Sequence, residues 1–324
     1  MRIGLVGAAD IAIKAIIEPA MIVDDVDVAA VAARDPLRAG RFASEHSIAT
    51  VHADYEALIG DDSLDAVYIA LPNSLHAEWS IAAMERGRHV LCEKPLAANA
   101  AQAVQMVETA RRTHRVLLEA FHWRYHPVAA RLIDLSQRIG HLTHASAYFN
   151  ACASLDDVAY RLNLGGGSFI DLGCYCVHQI RALAREEPHV VRAAATEGPD
   201  GIDVTMEAVL SFSSGLDAVA RTSMVDKGAT LPQSMGLHLQ GTDGSLDALN
   251  PMAPQLGHRI VAKLADGSAV DEVLGSGTSY EYQLRAFQTY LEGEGVPLTG
   301  GRDAVANMTV IDAVYRSAGL PLRR

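Results

Sequence analysis

The stretch MRIGLVGAADIA, residues 1–12, decides the fold of the first half of the chain. Arg2 to Val6 is a short apolar run that predicts a buried strand, and the residues after it predict a tight turn into a helix. Gly7, Ala9 and Ala12 have the spacing of the GxGxxG loop, whose small residues let the backbone approach a pyrophosphate. Because two of the three glycines are alanine, this pattern alone is equally compatible with an ordinary strand–helix turn.

Asp10 and Ile11 follow in the same loop and would also lie beside a bound dinucleotide. A carboxylate near a pyrophosphate is repulsive unless it points away, and Asp is also common at the start of a helix. We therefore count Gly7, Ala9, Asp10 and Ile11 as cofactor-binding candidates.

Strands and helices alternate from Met1 to about Phe121. This alternation predicts a parallel, doubly wound sheet with helices on both faces, that is, an α/β Rossmann domain over residues 1–121. The predicted strands are Arg2–Val6, Val28–Ala33, Ala66–Ala70, His89–Cys92 and Val116–Ala120, and the predicted helices include Leu37–Glu45, His76–Glu85 and Ala100–Thr113.

A different pattern begins near Tyr125. Longer strands follow one another, and FSSGLDA and GTDGSLDA carry hairpin-turn residues. Residues 122–324 are therefore predicted to form an α+β domain with a large, mainly antiparallel, open-faced sheet. Its predicted strands are His141–Phe149, Val190–Thr196, Val204–Phe212, Leu216–Met224, Gly236–Gly241 and Arg259–Leu264, with helices near Ser168–Ala184, Ser279–Glu292 and Arg302–Ala318.

Composition excludes several classes of protein. The 324 residues carry a net charge of −12 without a run of Lys or Arg, which disfavours nucleic-acid and anionic-membrane partners. No apolar stretch approaches the roughly 20 residues of a membrane span, and the N-terminus has no signal-peptide layout. The four cysteines form no CxxC pair, so a reducing cytoplasm is expected, and no His, Cys or carboxylate set has metal-ligand spacing.

The end of the second predicted strand bears on the choice of cofactor. NAD-binding Rossmann domains usually place an acid there on the ribose hydroxyls, and we align that position with Ala33. Arg34 follows it and Arg38 lies one helical turn further on, which suits the extra phosphate of NADP. NADP is therefore predicted, with NAD as the second choice because Asp35 also lies within reach of a ribose.

Further cofactor-binding candidates follow the next two strands of the predicted sheet. Leu71, Asn73 and His76 come after the strand ending at Ala70, and Lys94 comes just after His89–Cys92. Ligands of open α/β sheets lie beyond the carboxyl ends of the strands, so these residues are cofactor-binding candidates. Lys94 precedes a proline, and a cis bond is expected there.

Several segments together resemble the Gfo/Idh/MocA oxidoreductase family over almost the whole chain. They are ARDPLRA (33–39), CEKPLA (92–97), EAFHWRYHP (119–127) and GGGSFIDLGCYCVH (165–178). The resemblance is strongest to the branch of dihydrodiol dehydrogenases, NADP-dependent aldose dehydrogenases and ketosugar reductases. It implies that Glu93 holds the nicotinamide ribose and that residues 122–125 lie near the substrate cleft.

Asp171 and Tyr175 are four residues apart and share a helix face, with His178 on nearly the same face. The expected chemistry is hydride transfer between the nicotinamide and a carbinol or carbonyl carbon, which needs a proton carrier. Tyr175 with Lys94 as its electrostatic partner is one assignment, and Lys94 as the carrier is the other. Asp171 would orient Lys94 or bind a substrate hydroxyl.

The expected substrate is a sugar, a ketosugar or a cyclic diol. Besides Lys94, Asp171 and Tyr175, the substrate-binding candidates are Trp123, Arg124, Arg161 and His178. A non-catalytic dinucleotide-binding regulator is the alternative function, although such a protein can lose the lysine and the tyrosine that this chain keeps. An open apolar sheet invites association, so a homodimer or higher homo-oligomer through the second sheet is predicted.

Overall fold

The computed structural model describes residues 1–152, 154–225 and 233–324. Internal contacts divide the chain into two units. The first comprises Met1–Phe121 and Tyr280–Val305, and the second comprises His122–Ser279 and Ala306–Arg324.

The first unit contains the predicted parallel sheet. Its six strands have the order β3-β2-β1-β4-β5-β6, and every pair is parallel. Helices cover both faces, so Ile3, Leu5 and Val6 are all buried and the strand is apolar at consecutive positions. The strands are β1 Arg2–Val6, β2 Asp27–Ala32, β3 Thr50–Val51, β4 Ala66–Ile69, β5 His89–Cys92 and β6 Leu117–Glu119.

Several helices of the first unit begin at a capping side chain, supplied by Asp35, Asp54 and Asn99. Asn99 accepts a hydrogen bond from the backbone N–H of Gln102 at 3.1 Å, for example. The first helix is continuous over residues 10–20 but widens to a π-helix at Ile13–Ile17. The helices are Asp10–Ala20 in these segments, Pro36–Glu45, Tyr55–Ile59, Asn73–Glu85, Ala100–Thr113 and, from Tyr280 onwards, Ser279–Leu291.

Residues 280–305 correct the predicted domain boundary, which assigned them to the second domain. Arg285 donates to the carbonyl of Ile22 at 3.3 Å, and Gln288 donates to that of Asp24 at 3.2 Å. Thr299 extends the edge of β6, where the Glu119 N–H donates to the Thr299 carbonyl at 2.7 Å. The chain therefore returns to the first unit, a step that no local pattern indicates.

The second unit contains an eight-stranded sheet of order β14-β13-β12-β11-β7-β10-β9-β8. Every pair is antiparallel except β7 with β10, so the sheet is mainly antiparallel as predicted. Both predicted hairpin turns are present, between β9 and β10 and between β11 and β12. The strands are β7 Leu142–Ala151, β8 His189–Glu197, β9 Asp203–Ser211, β10 Asp217–Ser223, β11 Gln233–Gly241, β12 Ser245–Leu249, β13 Arg259–Lys263 and β14 Ala269–Glu272.

Side chains alternate between the two faces of this sheet. In β7, Ala145, Ala147 and Phe149 are buried, whereas Tyr148 between them is 39 % exposed. The helices of this unit are Pro127–Ser136, Cys174–Ala184, preceded by a π-helix at Phe169–Gly173, and most of Arg302–Ser317, with short 3₁₀ turns at His122–Tyr125, Val158–Tyr160, Leu162–Leu164, Pro199–Gly201 and Pro254–Leu256.

Acidification is expected to destabilise the second unit through His126. Its side chain is 3 % exposed, and burial, helped by the adjacent His258 ring, lowers the pKa of His126 to about 4. The unfolded chain, with a histidine pKa near 6.5, therefore binds the proton more readily. This contribution is complete above about pH 6.5 and is lost as the pH falls towards 4, at most about 3 kcal/mol.

Urea unfolding between pH 7.5 and 4.5 checks this expectation against the variant His126→Asn. Asn keeps an oxygen that can replace the ring nitrogen accepting from the Val128 N–H, a contact of 3.3 Å. The free energy of unfolding should fall less steeply with acid in the variant than in the parent protein. Equal slopes would contradict the assignment to His126.

Candidate active site

The loop after β1 has the geometry that a pyrophosphate requires. Gly7 has φ +109°, and a side chain there would collide with the Ala70 carbonyl oxygen, so only glycine suits this position. Ala9 begins the helix without a side-chain cap, which leaves the first helical N–H groups for another acceptor. Asp10 is exposed and Ile11 is half-buried beside it. These residues fit a dinucleotide phosphate.

The end of β2 presents two exposed arginines, Arg34 and Arg38. Asp35, the competing ribose ligand, caps the helix Pro36–Glu45 by accepting from the Leu37 N–H at 2.9 Å. Since this acid already serves the helix, the tip of β2 suits an extra phosphate better than a bare ribose diol.

His76 joins the two segments that follow β4 and β5. Its ring is fully buried, with Nε2 at 2.8 Å from the Leu71 carbonyl oxygen and Nδ1 at 2.8 Å from that of Pro95. Burial lowers the pKa of His76, and the charge of Lys94 lowers it further. The hydrogen bonds to the two carbonyls raise it, but by less. The ring therefore fixes the lysine turn, and direct cofactor contact by His76, a prediction from sequence, is not favoured by this geometry.

The turn after β5 carries Glu93 and Lys94, and the Lys94–Pro95 bond is cis as expected. Glu93 is 9 % exposed and accepts from the hydroxyl of Tyr68 at 2.5 Å. Buried Glu119 accepts from the Leu96 N–H at 2.7 Å and holds the other side of the turn. Lys94 is half-buried, and Leu71 and Asn73 are half-buried after β4.

Sequence reasoning missed Tyr68 and Tyr280 as members of this group. Burial raises the pKa of Tyr280, the Glu93 carboxylate raises it further, and the Lys94 ammonium lowers it. Tyr280 therefore lies within electrostatic reach of both charges, on the helix that returns to the first unit. Its local sequence, SYEYQ, carries no signal of this position.

In the second unit, a buried ion pair fixes the start of the segment with Asp171 and Tyr175. The Asp203 carboxylate pairs with Arg323, accepts from the Tyr315 hydroxyl at 3.1 Å and accepts from the Phe169 N–H at 2.8 Å. Burial raises the pKa of Asp203, and this effect outweighs the Arg323 charge and these hydrogen bonds, which lower it. Arg323 also donates to the Gly166 carbonyl at 2.7 Å, so it anchors the glycine-rich turn.

Tyr175 begins a chain of hydrogen bonds that the sequence did not predict. Its hydroxyl lies 3.1 Å from Nε2 of His122, and Nδ1 of His122 lies 2.7 Å from Oγ of Ser279. Ser279 donates in turn to Oε1 of Gln255 at 2.7 Å. Tyr175 and His122 are 6 % and 3 % exposed. Asp171 is half-buried in the preceding π-helical turn.

The two parts of the chain match two models of one family. Residues 1–121 match the model described as oxidoreductase family, NAD-binding Rossmann fold, and residues 128–247 match the GFO/IDH/MocA C-terminal domain. The chain belongs to the Gfo/Idh/MocA oxidoreductase family.

Relatives within this family include enzymes with several sugar and diol substrates. A D-xylose 1-dehydrogenase (NADP(+)) from Haloferax volcanii is 38 % identical, with 98 % of this chain and 97 % of that protein covered. A trans-1,2-dihydrobenzene-1,2-diol dehydrogenase from Xenopus tropicalis is 34 % identical over 70 % of this chain and 68 % of its own length. A 3-ketoreductase from Actinomadura kijaniata, solved with NADP and TDP-benzene, superposes with a TM-score of 0.87 at 27 % identity, covering 98 % of this chain and 97 % of that one.

The remaining substrate candidates of this Gfo/Idh/MocA chain lie in the second unit. Trp123 is fully buried, and its indole N–H donates to Nδ1 of His178 at 3.0 Å, so these two residues support the helix by contacting each other. Arg124 is half-buried. Arg161 is exposed and lies 4.0 Å from Asp156. Contact of these four with a substrate stays a prediction, and it is least favoured for the buried pair.

Within residues 1–152, 154–225 and 233–324, no three His, Cys, Asp or Glu side chains group as a metal site. No helix in these ranges has the length and apolarity to cross a bilayer.

Proposed function

We propose that the protein is an NADP-dependent oxidoreductase that interconverts a hydroxyl and a carbonyl group on a sugar, a ketosugar or a cyclic diol. The observation that carries this proposal is the retention of both Lys94 and Tyr175, the tyrosine on a structured hydrogen-bond chain. A non-catalytic regulator needs neither residue, and the named relatives are dehydrogenases and reductases.

Bound NADP supplies the hydride acceptor or donor. The residues of the chain then have to bind the cofactor, orient the substrate and move one proton. We assign phosphate binding to the loop of Gly7, Ala9, Asp10 and Ile11, and the ribose phosphate to Arg34 and Arg38. Leu71, Asn73 and Glu93 would line the nicotinamide ribose.

We assign the proton to the coupled pair of Tyr175 and Lys94, with Asp171 orienting the lysine or a substrate hydroxyl. An ammonium beside a phenol favours the phenolate, which makes the tyrosine a better base near neutral pH. The two groups titrate as a pair, so the macroscopic pKa values belong to both. Trp123, Arg124, Arg161 and His178 remain proposed substrate contacts.

A substrate panel tests the reaction itself. The first three probes are D-xylose with NADP⁺, trans-1,2-dihydrobenzene-1,2-diol with NADP⁺ and 1,5-anhydro-D-fructose with NADPH, taken from the named activities of relatives. Conversion of at least one, followed at the nicotinamide absorbance, supports the proposal. A protein that binds neither NADPH nor NADH and converts none of them is not this oxidoreductase.

The cofactor preference is expected to depend on Arg34. Charge-assisted hydrogen bonds contribute roughly 1.5–3 kcal/mol, so Arg34→Ala should weaken NADPH binding by about 10- to 100-fold. NADH lacks the phosphate, and its affinity should change little. Arg41→Ala is the matched control, because Arg41 is an exposed arginine on the helix Pro36–Glu45 that follows Arg34. Nicotinamide fluorescence titration measures both affinities, and a parent protein that prefers NADH would move the ribose contact to Asp35.

Two finer assignments belong to the same proposal. We place the protein in the cytoplasm, in keeping with its four free cysteines. We also propose a homodimer or higher homo-oligomer through the open face of the second sheet, where Tyr148 and Val261 are 39 % and 38 % exposed. Ion pairs such as His238–Asp247 share this face, so the interface would be partly polar.

A further inference from the structure

We infer that His122 holds the proton of Tyr175 during turnover and that Ser279 and Gln255 set the histidine tautomer for this role. The inference rests on the proposed function in one respect: Tyr175 has to exchange a proton with the substrate. His122 acts through Tyr175 and is therefore a positioning residue. Its geometry lies wholly within the second unit.

The direction of each hydrogen bond follows from Gln255, the last residue in this series of contacts, whose side-chain oxygen can only accept. Ser279 has a single hydroxyl proton and donates it to Oε1 of Gln255 at 2.7 Å. Ser279 therefore only accepts from His122, so Nδ1 of the ring carries the proton across the 2.7 Å contact. A neutral imidazole with Nδ1–H has a lone pair on Nε2, and that atom faces the Tyr175 hydroxyl at 3.1 Å.

This arrangement lets Tyr175 take the substrate proton while it passes its own hydroxyl proton to His122. A free phenolate is therefore not required. In alcohol oxidation, the substrate carbon would lose a hydride, which carries the two electrons, to bound NADP, and the substrate hydroxyl would lose its proton to the Tyr175 oxygen. The original Tyr175 proton passes to Nε2 of His122, which becomes an imidazolium. The products are a carbonyl, the reduced cofactor and one proton on His122, and ketone reduction runs the same steps backwards.

Burial explains why Tyr175 needs a protein side chain as the acceptor of its proton. Ser279 is fully buried and His122 is 3 % exposed, so bulk water does not compete for these hydrogen bonds. Histidine is the side chain whose ordinary pKa lies near neutral pH, and the fixed Nδ1–H leaves Nε2 as the basic atom. Neutral His122 supports oxidation, and cationic His122 supports reduction.

Other titratable groups lie on the elements that carry this chain of hydrogen bonds. Their titration has to be distinguished from that of His122 in a pH profile. Asp171 and His178 lie one turn either side of Tyr175, and His126 and His258 contact each other near the start of Pro127–Ser136. The remaining ones on these elements are Arg124, Tyr125, Cys174, Cys176, Arg181, Tyr280, Glu281, Tyr282, Arg285 and Tyr290.

Two independent measurements test the inference. The first needs no turnover: ¹⁵N and ¹³C shifts of the His122 ring in the ligand-free protein should report the Nδ1–H tautomer, and Tyr175→Phe should perturb Nε2 specifically. The second is the pH profile of kcat in both directions with the active probe of the panel. His122→Gln should lower kcat for oxidation by about 10- to 100-fold, with a smaller change in KM. It should also remove the acid limb of the kcat profile for oxidation, which we assign to protonation of His122.

Two further variants keep the test informative if His122→Gln does not fold. Gln255→Glu can only accept from Ser279, so it preserves the tautomer, and its charge should move the limb of the oxidation profile to higher pH. Ser279→Ala releases the tautomer and should lower kcat with little effect on NADPH affinity. His126→Asn is the control that should keep the parent limb.

The Nε2–H tautomer in the parent protein would overturn the inference, as would a parent-like pH limb in His122→Gln. Either result leaves the proposed function intact. Failure of the proposed function looks different: the panel shows no conversion, and the ring shifts alone then decide the tautomer and its coupling to Tyr175.

Discussion

Lys94→Ala is expected to lower kcat by about 10²–10⁴-fold, the range that a positioned proton-transfer group contributes. The variant removes the ammonium that we assign to the proton step, while the turn is still held by His76 and Glu119 through the contacts of Pro95 and Leu96. The fold and most of the NADPH affinity should therefore survive. Steady-state kinetics together with NADPH titration separates the two effects.

Lys14→Ala provides the matched control, because Lys14 is an exposed lysine of the same unit. It should leave kcat and NADPH affinity at the parent values. If Lys94→Ala turned over normally, the assignment of the proton step to the turn after β5 would be wrong. If it lost NADPH affinity in proportion to kcat, Lys94 would be a cofactor ligand without a part in the chemistry.

Tyr175→Phe is expected to reduce kcat by a similar factor, about 10²–10⁴, through the loss of a single hydroxyl. The ring remains to pack against Phe149, whose centroid lies 5.6 Å away, so thermal stability should change little. NADPH affinity should also be retained, because we assign cofactor binding to the first unit. The exposed Tyr148→Phe is the control and should keep the parent rate.

The double variant Lys94→Ala/Tyr175→Phe distinguishes a coupled pair from two separate contributors. Residues that act as one unit give strongly non-additive losses, so the double variant should be about as slow as the slower single variant. Losses that multiplied would indicate that Lys94 and Tyr175 act at independent steps. Normal turnover by Tyr175→Phe would remove the tyrosine from the mechanism altogether.

The parts of the fold that were predictable are those with a local cause. Burial on both faces makes β1 and β5 continuous apolar runs, and their predicted bounds agree with the structure. The missed elements have weaker signals. Thr50–Val51 is only two residues long, and Ser245–Leu249 is a five-residue strand that directly follows a turn. Pro127–Ser136 begins at a proline directly after an aromatic cluster.

The candidate site divides in the same way. The position of Lys94 just after β5 was predictable, because the strand-end rule needs only the strand and the next residues. Asp171 and Tyr175 needed only helical periodicity. The partner of Tyr175 was not predictable, because His122 is 53 residues away along the chain and Ser279 lies 157 residues beyond His122. Such pairings are set by tertiary packing, and a single sequence carries no record of them.

The parallel pairing of β7 with β10 has a consequence for how the second unit folds. β8 to β10 and β11 to β14 are each linked by antiparallel pairs of neighbouring strands, which form quickly because few residues separate the partners. β7 joins the two groups, yet its partner residues in β10 lie far along the chain, as in the pair His144 with Asp217. Docking of β7 closes the longer loop, so we expect it to be the slow step. Phe149 belongs to β7 and packs against Tyr175. We therefore expect Tyr175 to acquire its final packing only when β7 docks.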